Sequence, residues 1–459
     1  MTGHVLKLDL HNQHIAFLER DNYALGGDIS PSLLGLKQLT HLDLSWNNFE
    51  LLGIPTFIGS LARLEYLNLS AAQFAGTIPH EIGNITGLQY LDLGASYNTA
   101  EFHTPDITQI GSLAIDDVEW ISHLTSLKYL DLSGVDLKNA INWAEVMSKL
   151  PSLSVLRMYY CGLVSVPASI PVINFTSLTE LILFGNKFNS ELPEWLFRIT
   201  SLVTLDMSFN NFQGVLPQRE IPATIGNLTR LHSLDLSDNE IGGEIHKNIG
   251  NKTSLRGLYL RRTGIIGEIP SSIGNLQNLQ TINSKENNIS SSVPASIQKP
   301  LHLKHLSVSS NKISGSIPEC IWSSSHLDVI NLSNNNLSGA IPSLMGSTYL
   351  VSMHLNNNHF FGELPSNLKN SNNLVVLDLG ENELSGLIPM WLGESLSSLK
   401  VLRLRSNKFG GHIPPQLSHL ASLQVLDLAH NNFSGAIPPF LGNLSSMVAT
   451  TQKMSEPLY

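Results

Sequence analysis

Basic and aromatic side chains recur in this 459-residue chain at spacings that would set them side by side on one surface. Arg157, Tyr159 and Tyr160 form one group, with Ile182 and Phe184 one period further on. Tyr259, Arg261 and Arg262 form a second with Lys285, and Arg403 and Arg405 a third. Tyr66, Tyr90 and Tyr129 make a separate column in the first third of the chain. A guanidinium recognises carboxylates bidentately and an aromatic ring offers rigid contact area, so these residue types point to recognition, not bond-making. The 17 histidines are scattered, and His-Glu-x-x-His, Gly-x-Ser-x-Gly, a phosphate loop and Cys-x-x-Cys are all missing from the sequence. His11 and His14 lie close together but have no third ligand, and read as surface residues. No catalysis, metal or cofactor is expected. A net charge of −10 excludes a general affinity for nucleic acid.

What must position these groups is a repeat. Residues 423–446, LQVLDLAHNNFSGAIPPFLGNLSS, state it most fully. Aligned on Leu-x-x-Leu-x-Leu-x-x-Asn, copies begin at Val5, Leu39, Leu64, Leu88, Leu127, Leu153, Leu178, Leu202, Leu231, Leu255, Leu279, Leu303, Leu327, Leu350, Leu374, Leu399 and Leu423, which makes seventeen. In x-Leu-x-Leu-x the period of two puts both leucines on one face of a short strand. Such a strand cannot bury that face alone, so copies must stack into a continuous parallel sheet with the x residues outside. The closing Asn (47, 186, 210, 239, 287, 311, 335, 358, 382, 407, 431) ends the strand, where a short amide satisfies both backbone donors and acceptors. Phe49, Phe74, Phe188, Phe212, Phe409 and Phe433 form an aromatic spine, and Gly-x-Ile-Pro places a permissive glycine and a donor-less proline on the back of the coil. The expected fold is an α/β-type repeat solenoid, a curved right-handed superhelix with a parallel concave β-sheet and a convex side of irregular, 3-10 and short-strand segments. One solenoid spans 1–459, with irregular insertions near 14–30, 95–122 and 215–225. In copies three to six Ala72, Ser96, Val135 and Cys161 replace the Asn.

The departures from Leu-Asp-Leu-Ser carry the information about function. The ligand surface is expected over repeats six to eleven, with Arg157, Tyr159, Tyr160, Phe184, Tyr259, Arg261, Arg262 and Lys285 as contacts, and Arg403 and Arg405 as a further basic pair. Ten Asn-x-Ser/Thr sequons are glycan acceptors in a secreted chain: Asn68, Asn84, Asn174, Asn227, Asn251, Asn288, Asn331, Asn336, Asn432 and Asn443. Asn68 and Asn331 fall between strand leucines, so glycans there would shield repeats three and thirteen and leave six to eleven open. Cys161 and Cys320 lie about six repeats, hence about 30 Å, apart and are expected to be free thiols.

With Leu-x-x-Leu-x-Leu-x-x-Asn-x-Phe-Ser-Gly-x-Ile-Pro on the page, the chain resembles the plant-specific class of leucine-rich repeats found in receptor-like proteins and receptor-like kinases. Thr2-Gly-His-Val-Leu-Lys-Leu-Asp-Leu, Trp120–Leu137 and Gly442-Asn-Leu-Ser-Ser-Met-Val-Ala-Thr are more similar to disease-resistance receptor-like proteins than to receptor kinases. The resemblance implies a ligand-recognition ectodomain at the extracellular face of the plasma membrane. Its partners would be a peptide or protein ligand, a microbial one included, and a receptor-kinase co-receptor. The membrane would be reached only through segments outside this sequence. The signal peptide, cysteine-paired cap, island loop and membrane helix of that family are missing here, so the chain reads as an internal piece whose uncapped ends are expected to fray or associate. A secreted inhibitor of wall-degrading enzymes, similar to polygalacturonase-inhibiting proteins, is the alternative; seventeen copies weigh against it, since those proteins have about ten.

Overall fold

The computed structural model describes residues 4–13, 23–95, 113–171, 173–213, 227–251, 254–298, 302–322, 326–342 and 349–439. Every one of the seventeen copies becomes a three-residue strand. These residues fall into two compact units, the first ending at Ile241 and the second beginning at Gly242. In the first, nine parallel strands run from Lys7–Asp9 to Ser233–Asp235, through His41–Asp43, Tyr66–Asn68, Tyr90–Asp92, Tyr129–Asp131, Val155–Arg157, Glu180–Ile182 and Thr204–Asp206. Their central leucines lie in one row, Leu8 opposite Leu42, then Leu67, Leu91, Leu130, Leu156, Leu181, Leu205 and Leu234. In the second, eight strands follow from Gly257–Tyr259 to Val425–Asp427, with Leu258, Ile282, Leu306, Ile330, Met353, Leu377, Leu402 and Leu426 in register.

The row is buried because a strand of alternating pattern has only one apolar face to hide, and each copy hides it against the next. Leu306 is fully buried in this row. Leu306→Ala is expected to destabilise the chain by about 2–5 kcal/mol through the cavity it leaves. Thermal unfolding checks this, and a loss under about 1 kcal/mol would mean that the row collapses around the gap.

All eleven expected asparagines form the ladder. Asn186 is typical: its Nδ2 donates to Met158 O of the preceding repeat (2.8 Å) and Leu183 O of its own (2.9 Å), and its Oδ1 accepts from Cys161 N (3.0 Å) and Leu163 N (3.1 Å). Each amide thus ties one repeat to the one before it. Where Asn lapses, the substitutes are buried, as expected for packing residues: Ala72 2%, Val135 1% and Cys161 1% exposed. Cys161 does more than fill space, since its Sγ donates to Leu132 O (3.1 Å), the carbonyl position that an Asn amide would reach. Cys161 is a free cysteine, and burial pushes its thiol far up from the ordinary value. Ser96 and the side chain of Cys320 lie outside the described residues. A further lapse, unrecognised in the sequence, is Thr263 in repeat ten, fully buried and donating through Oγ1 to Leu260 O (2.9 Å).

The phenylalanine spine stacks, Phe49 on Phe74 with centroids 4.5 Å apart and Phe188 beside Phe212 at 5.4 Å. Phe360, fully buried, belongs to it as well. The convex side carries short 3-10 helices, Thr56–Ser60, His80–Asn84, Ser271–Asn275 and Pro415–His419 among them, and proline precedes each at the N-cap. The glycines of Gly-x-Ile-Pro adopt left-handed backbone, Gly76 at φ 84°, Gly339 at 96° and Gly435 at 88°. A second set of short parallel strands runs beside the turn, six of which pair from Ser314–Gly315 to Asn432–Phe433. The described part of the insertion near 95–122 joins this convex layer: Leu113–Ala114 pairs with Gly76–Thr77, and Val118 and Trp120 are buried. The insertion near 215–225, and residues 14–22 of the one near 14–30, lie outside the described residues.

Candidate functional site

The outward residues of each strand end in a turn that the column Asp43, Asn68, Asp92, Asp131, Asp206, Asp235, Asn331, Asp378 and Asp427 holds in place. Each side-chain oxygen accepts from the backbone N–H two residues on, for instance Asp206 from Ser208 N at 2.9 Å and Asn331 from Ser333 N at 3.2 Å. This explains Leu-Asp-Leu-Ser as a strand-end cap. It also draws carboxylates together: Asp92 is pushed up to about 7 by burial and by Asp131, and Asp235 to about 7 by burial and by Asp206.

In the first unit an aromatic stack runs across the strands. His41 stacks on Tyr66 at 4.0 Å, Tyr66 on Tyr90 at 4.2 Å, and Tyr90 on Tyr129 at 4.2 Å. Arg157 closes it, its guanidinium 5.6 Å from the Tyr129 centroid and ion-paired to Glu180 at 2.6 Å. With the ring faces covered, this column presents mostly edges and hydroxyls, the latter turned to Asp43, Asp92 and Asp131. Repeats six to eight then open an apolar patch. Phe184 stacks on Tyr159 at 4.8 Å and meets Tyr160 edge-on at 5.1 Å. Tyr160 lies across Gly185, where a Cβ would stand 2.4 Å from the ring, so only glycine leaves room for it. Phe209 continues the column and is 51% exposed.

The residue before each ladder Asn is left-handed, which suits Asn, Asp or Gly and strains bulky side chains. Tyr160 (φ 52°), Phe209 (51°) and Arg262 (48°) nevertheless stand there. Tyr160 is half-buried and Phe209 and Arg262 are exposed, so bulk in this strained position is not explained by core packing. Phe209 is a site residue that the sequence reading missed, and its signal was a bulky aromatic directly before the ladder residue Asn210.

In the second unit Arg261, Arg262 and Lys285 do come together, but around a carboxylate the sequence did not single out. Glu286 takes Arg261 Nη2 at 3.8 Å, Lys285 Nζ at 3.2 Å and the Arg262 guanidinium; burial raises its carboxyl, but Arg262 and Lys285 outweigh that and hold it below the usual range. Three cations on one anion leave a net positive surface beside Tyr259, whose ring folds over Gly257. Arg403 and Arg405 are not a free pair: Arg403 meets Asp378 at 3.4 Å and Arg405 meets Asp427 at 3.1 Å. Among the sequons, Asn84, Asn227, Asn251, Asn288, Asn336 and Asn432 are exposed, Asn68 and Asn174 half-buried, and Asn443 outside the described residues. Asn331 is only 9% exposed with its oxygen held by Ser333, a poor place for a bulky glycan.

A stack of Asn-laddered coils with one outward sheet face is a leucine-rich-repeat solenoid. The family described as Leucine Rich Repeat matches residues 38–61, 201–228, 254–276, 302–324, 326–347, 373–395, 398–420 and 422–444, and a second described as Leucine Rich repeat matches 227–249. The chain has the leucine-rich-repeat fold and is similar to plant receptor-like proteins. It is similar to Receptor-like protein EIX1 of Solanum lycopersicum, 38% identical over 250 residues covering 52% of this chain and 22% of that protein. It thus spans under a quarter of that relative's length. Among solved structures it is similar to a TDR receptor (TM-score 0.73, 27% identity, 96% of this chain and 66% of the other). It is also similar to the Arabidopsis receptor kinase HAESA in complex with the peptide hormone IDA and the co-receptor SERK1 (TM-score 0.66, 28% identity, 92% and 75%). Among the described residues no helix is long and apolar enough to cross a membrane.

Proposed function

We propose that this chain is the ligand-recognition region of a plant cell-surface receptor-like protein, which captures a peptide or protein on its inner sheet face and signals by pairing with a receptor kinase. The observation that carries the reading is the aromatic patch of Tyr159, Tyr160, Phe184 and the exposed, strained Phe209, which the fold itself does not require. The net positive group of Arg261, Arg262 and Lys285 is a second candidate contact, suited to a ligand carboxylate. The kinase partner follows from the family resemblance and from the co-receptor present in the HAESA complex.

The test passes peptide fractions from fungal culture filtrates and plant extracellular fluid over the immobilised chain. Retention should be lost in Tyr160→Ala plus Phe184→Ala, and in Arg261→Glu plus Arg262→Glu. It should persist in Glu194→Ala plus Arg198→Ala, an exposed pair on a convex 3-10 helix. Retention that survives both inner-face changes would place recognition elsewhere.

A further inference from the structure

On the convex side of repeat six, residues 163–171 and 173–175 run without the short helix that ends at the equivalent asparagine elsewhere, as in His80–Asn84 and Lys247–Asn251. Proline is the cause, since Pro167 and Pro171 disfavour helical backbone at Val166 and Ile170. The segment is held firmly all the same. Trp143 Nε1 donates to Ser165 O at 3.0 Å from the repeat before, and Trp195 Nε1 to Pro167 O at 2.8 Å from the repeat after. Between this segment and the α-helix Trp143–Ser148 lies a concavity of about 300 Å³, lined by Glu145, Ser148, Lys149, Ile170, Pro171 and Asn174. Asn174 begins the sequon Asn174-Phe175-Thr176, and buried Phe175, whose ring lies 6.3 Å from that of Trp195, fixes it at the rim. Among the described residues the Asn174 amide makes no hydrogen bond, whereas those of Asn68 and Asn331 are tied to Ser70 and Ser333. Asn84 and Asn251 stand at the same offset before their leucines but are exposed, while Asn174 is half-buried.

We propose that Asn174 carries an N-linked glycan whose first N-acetylglucosamine seats in this concavity. The apolar C–H face of the sugar covers Ile170 and Pro171, and its hydroxyl and acetamido groups meet Glu145 and Lys149. The concavity is at the small end of ligand sites, about 300–1,000 Å³, so it takes one sugar ring and leaves the rest of the glycan in solvent. In forming the link, Asn174 Nδ2 attacks C1 of a lipid-diphosphate-linked oligosaccharide. The Nδ2–C1 bond forms, the C1–O bond to the diphosphate breaks, one amide proton is released and the lipid diphosphate leaves. The sugar then does for repeat six what the short helix does elsewhere: it covers the convex side and joins the repeat to its neighbour. The inference rests on the cell-surface reading only for the chain's natural route past the glycosylating enzyme.

The full chain, secreted from plant cells behind an added leader, tests the seat independently of that reading. Glycopeptide mass spectrometry should find Asn174 occupied. In the folded chain, an amidase that cuts the Asn–sugar bond should release the Asn174 glycan on the order of ten-fold more slowly than those on exposed Asn84 and Asn288. Asn174→Gln should melt about 2–4 °C below the parent, and Asn84→Gln should not. Asn174 left bare while Asn84 and Asn288 are filled overturns the inference, and so does a chain bare at every sequon. Release from Asn174 at the rate of the exposed sites overturns it, as does an Asn174→Gln melt within about 1 °C of the parent. If Asn174→Gln is not secreted, the release rates on the parent chain decide alone. Peptide retention by the inner face is read separately and stands or falls on its own test.

Discussion

Asn287→Ala is expected to destabilise the chain by about 3–5 kcal/mol, more than most single changes in the leucine rows, because it strands buried backbone groups in two repeats at once. The Asn287 amide donates to Leu260 O at 2.6 Å and Ser284 O at 3.1 Å. Its oxygen accepts from Thr263 N at 3.0 Å and Ile265 N at 3.0 Å. In the alanine variant Leu260 O keeps the Thr263 hydroxyl, but both N–H groups lose their partner in a site that is 9% exposed at Asn287. Cysteine should not restore it. Cys161 succeeds at repeat six because the donors an asparagine would serve there are met otherwise, Val135 N by Leu132 O at 2.9 Å and Leu137 N by Cys161 O at 2.9 Å. Thr263 and Ile265 lack that rerouting, so Asn287→Cys recovers the donation and not the acceptance. Denaturant unfolding of the two variants beside Asn432→Ala, an exposed control, decides it. An alanine variant within about 1 kcal/mol of the parent would mean that water or a local shift meets both N–H groups.

The ladder was legible in the sequence because its logic is local. One residue type recurs at one offset from leucines whose alternation defines the strand, and seventeen copies leave little else that the chain could do. The same locality hid parts of the site. Arg403-x-Arg405 reads as two adjacent cations, but their partners Asp378 and Asp427 come from the repeats on either side, and only the register brings them together. Glu286 sits next to Lys285 in sequence, yet that it anchors Arg261 and Arg262 depends on the stacking of repeats ten and eleven. Phe209 and the Asp206–Asp235 pair were passed over for the opposite reason: each lies in a column where polar residues are the rule. What distinguishes Phe209 is its strained backbone, and what marks Asp235 is a carboxyl raised by burial and by Asp206 across the strand. Neither property is visible without neighbours.

The buried, closely paired carboxyls should make the first unit respond to pH in an unusual direction. Asp92 and Asp235 are raised to about 7 in the fold by burial first, and then by Asp131 and Asp206 respectively. Unfolded, both carboxyls return to the ordinary value of about 4. Between these values the folded chain binds more protons than the unfolded one, so the contribution of these groups to stability falls as pH rises from about 4 to about 7. Half-buried histidines whose values are lowered by burial, His41 and His354 among them, act in the opposite sense below about 6.5, through loss of their neutral form. The carboxyl effect is therefore best isolated by difference. Asp92→Asn plus Asp235→Asn should be close to neutral at about pH 3, where these carboxyls are protonated in folded and unfolded chains alike and the amides repeat their contacts. At pH 8 it should stabilise by about 2 kcal/mol per site. Parallel thermal melts across that range give the answer. A stability gap between variant and parent that stays constant with pH would show that solvent or a rearranged neighbour already relieves the pair. A gap that widens toward alkaline pH means that the inner face stores charge at the expense of stability.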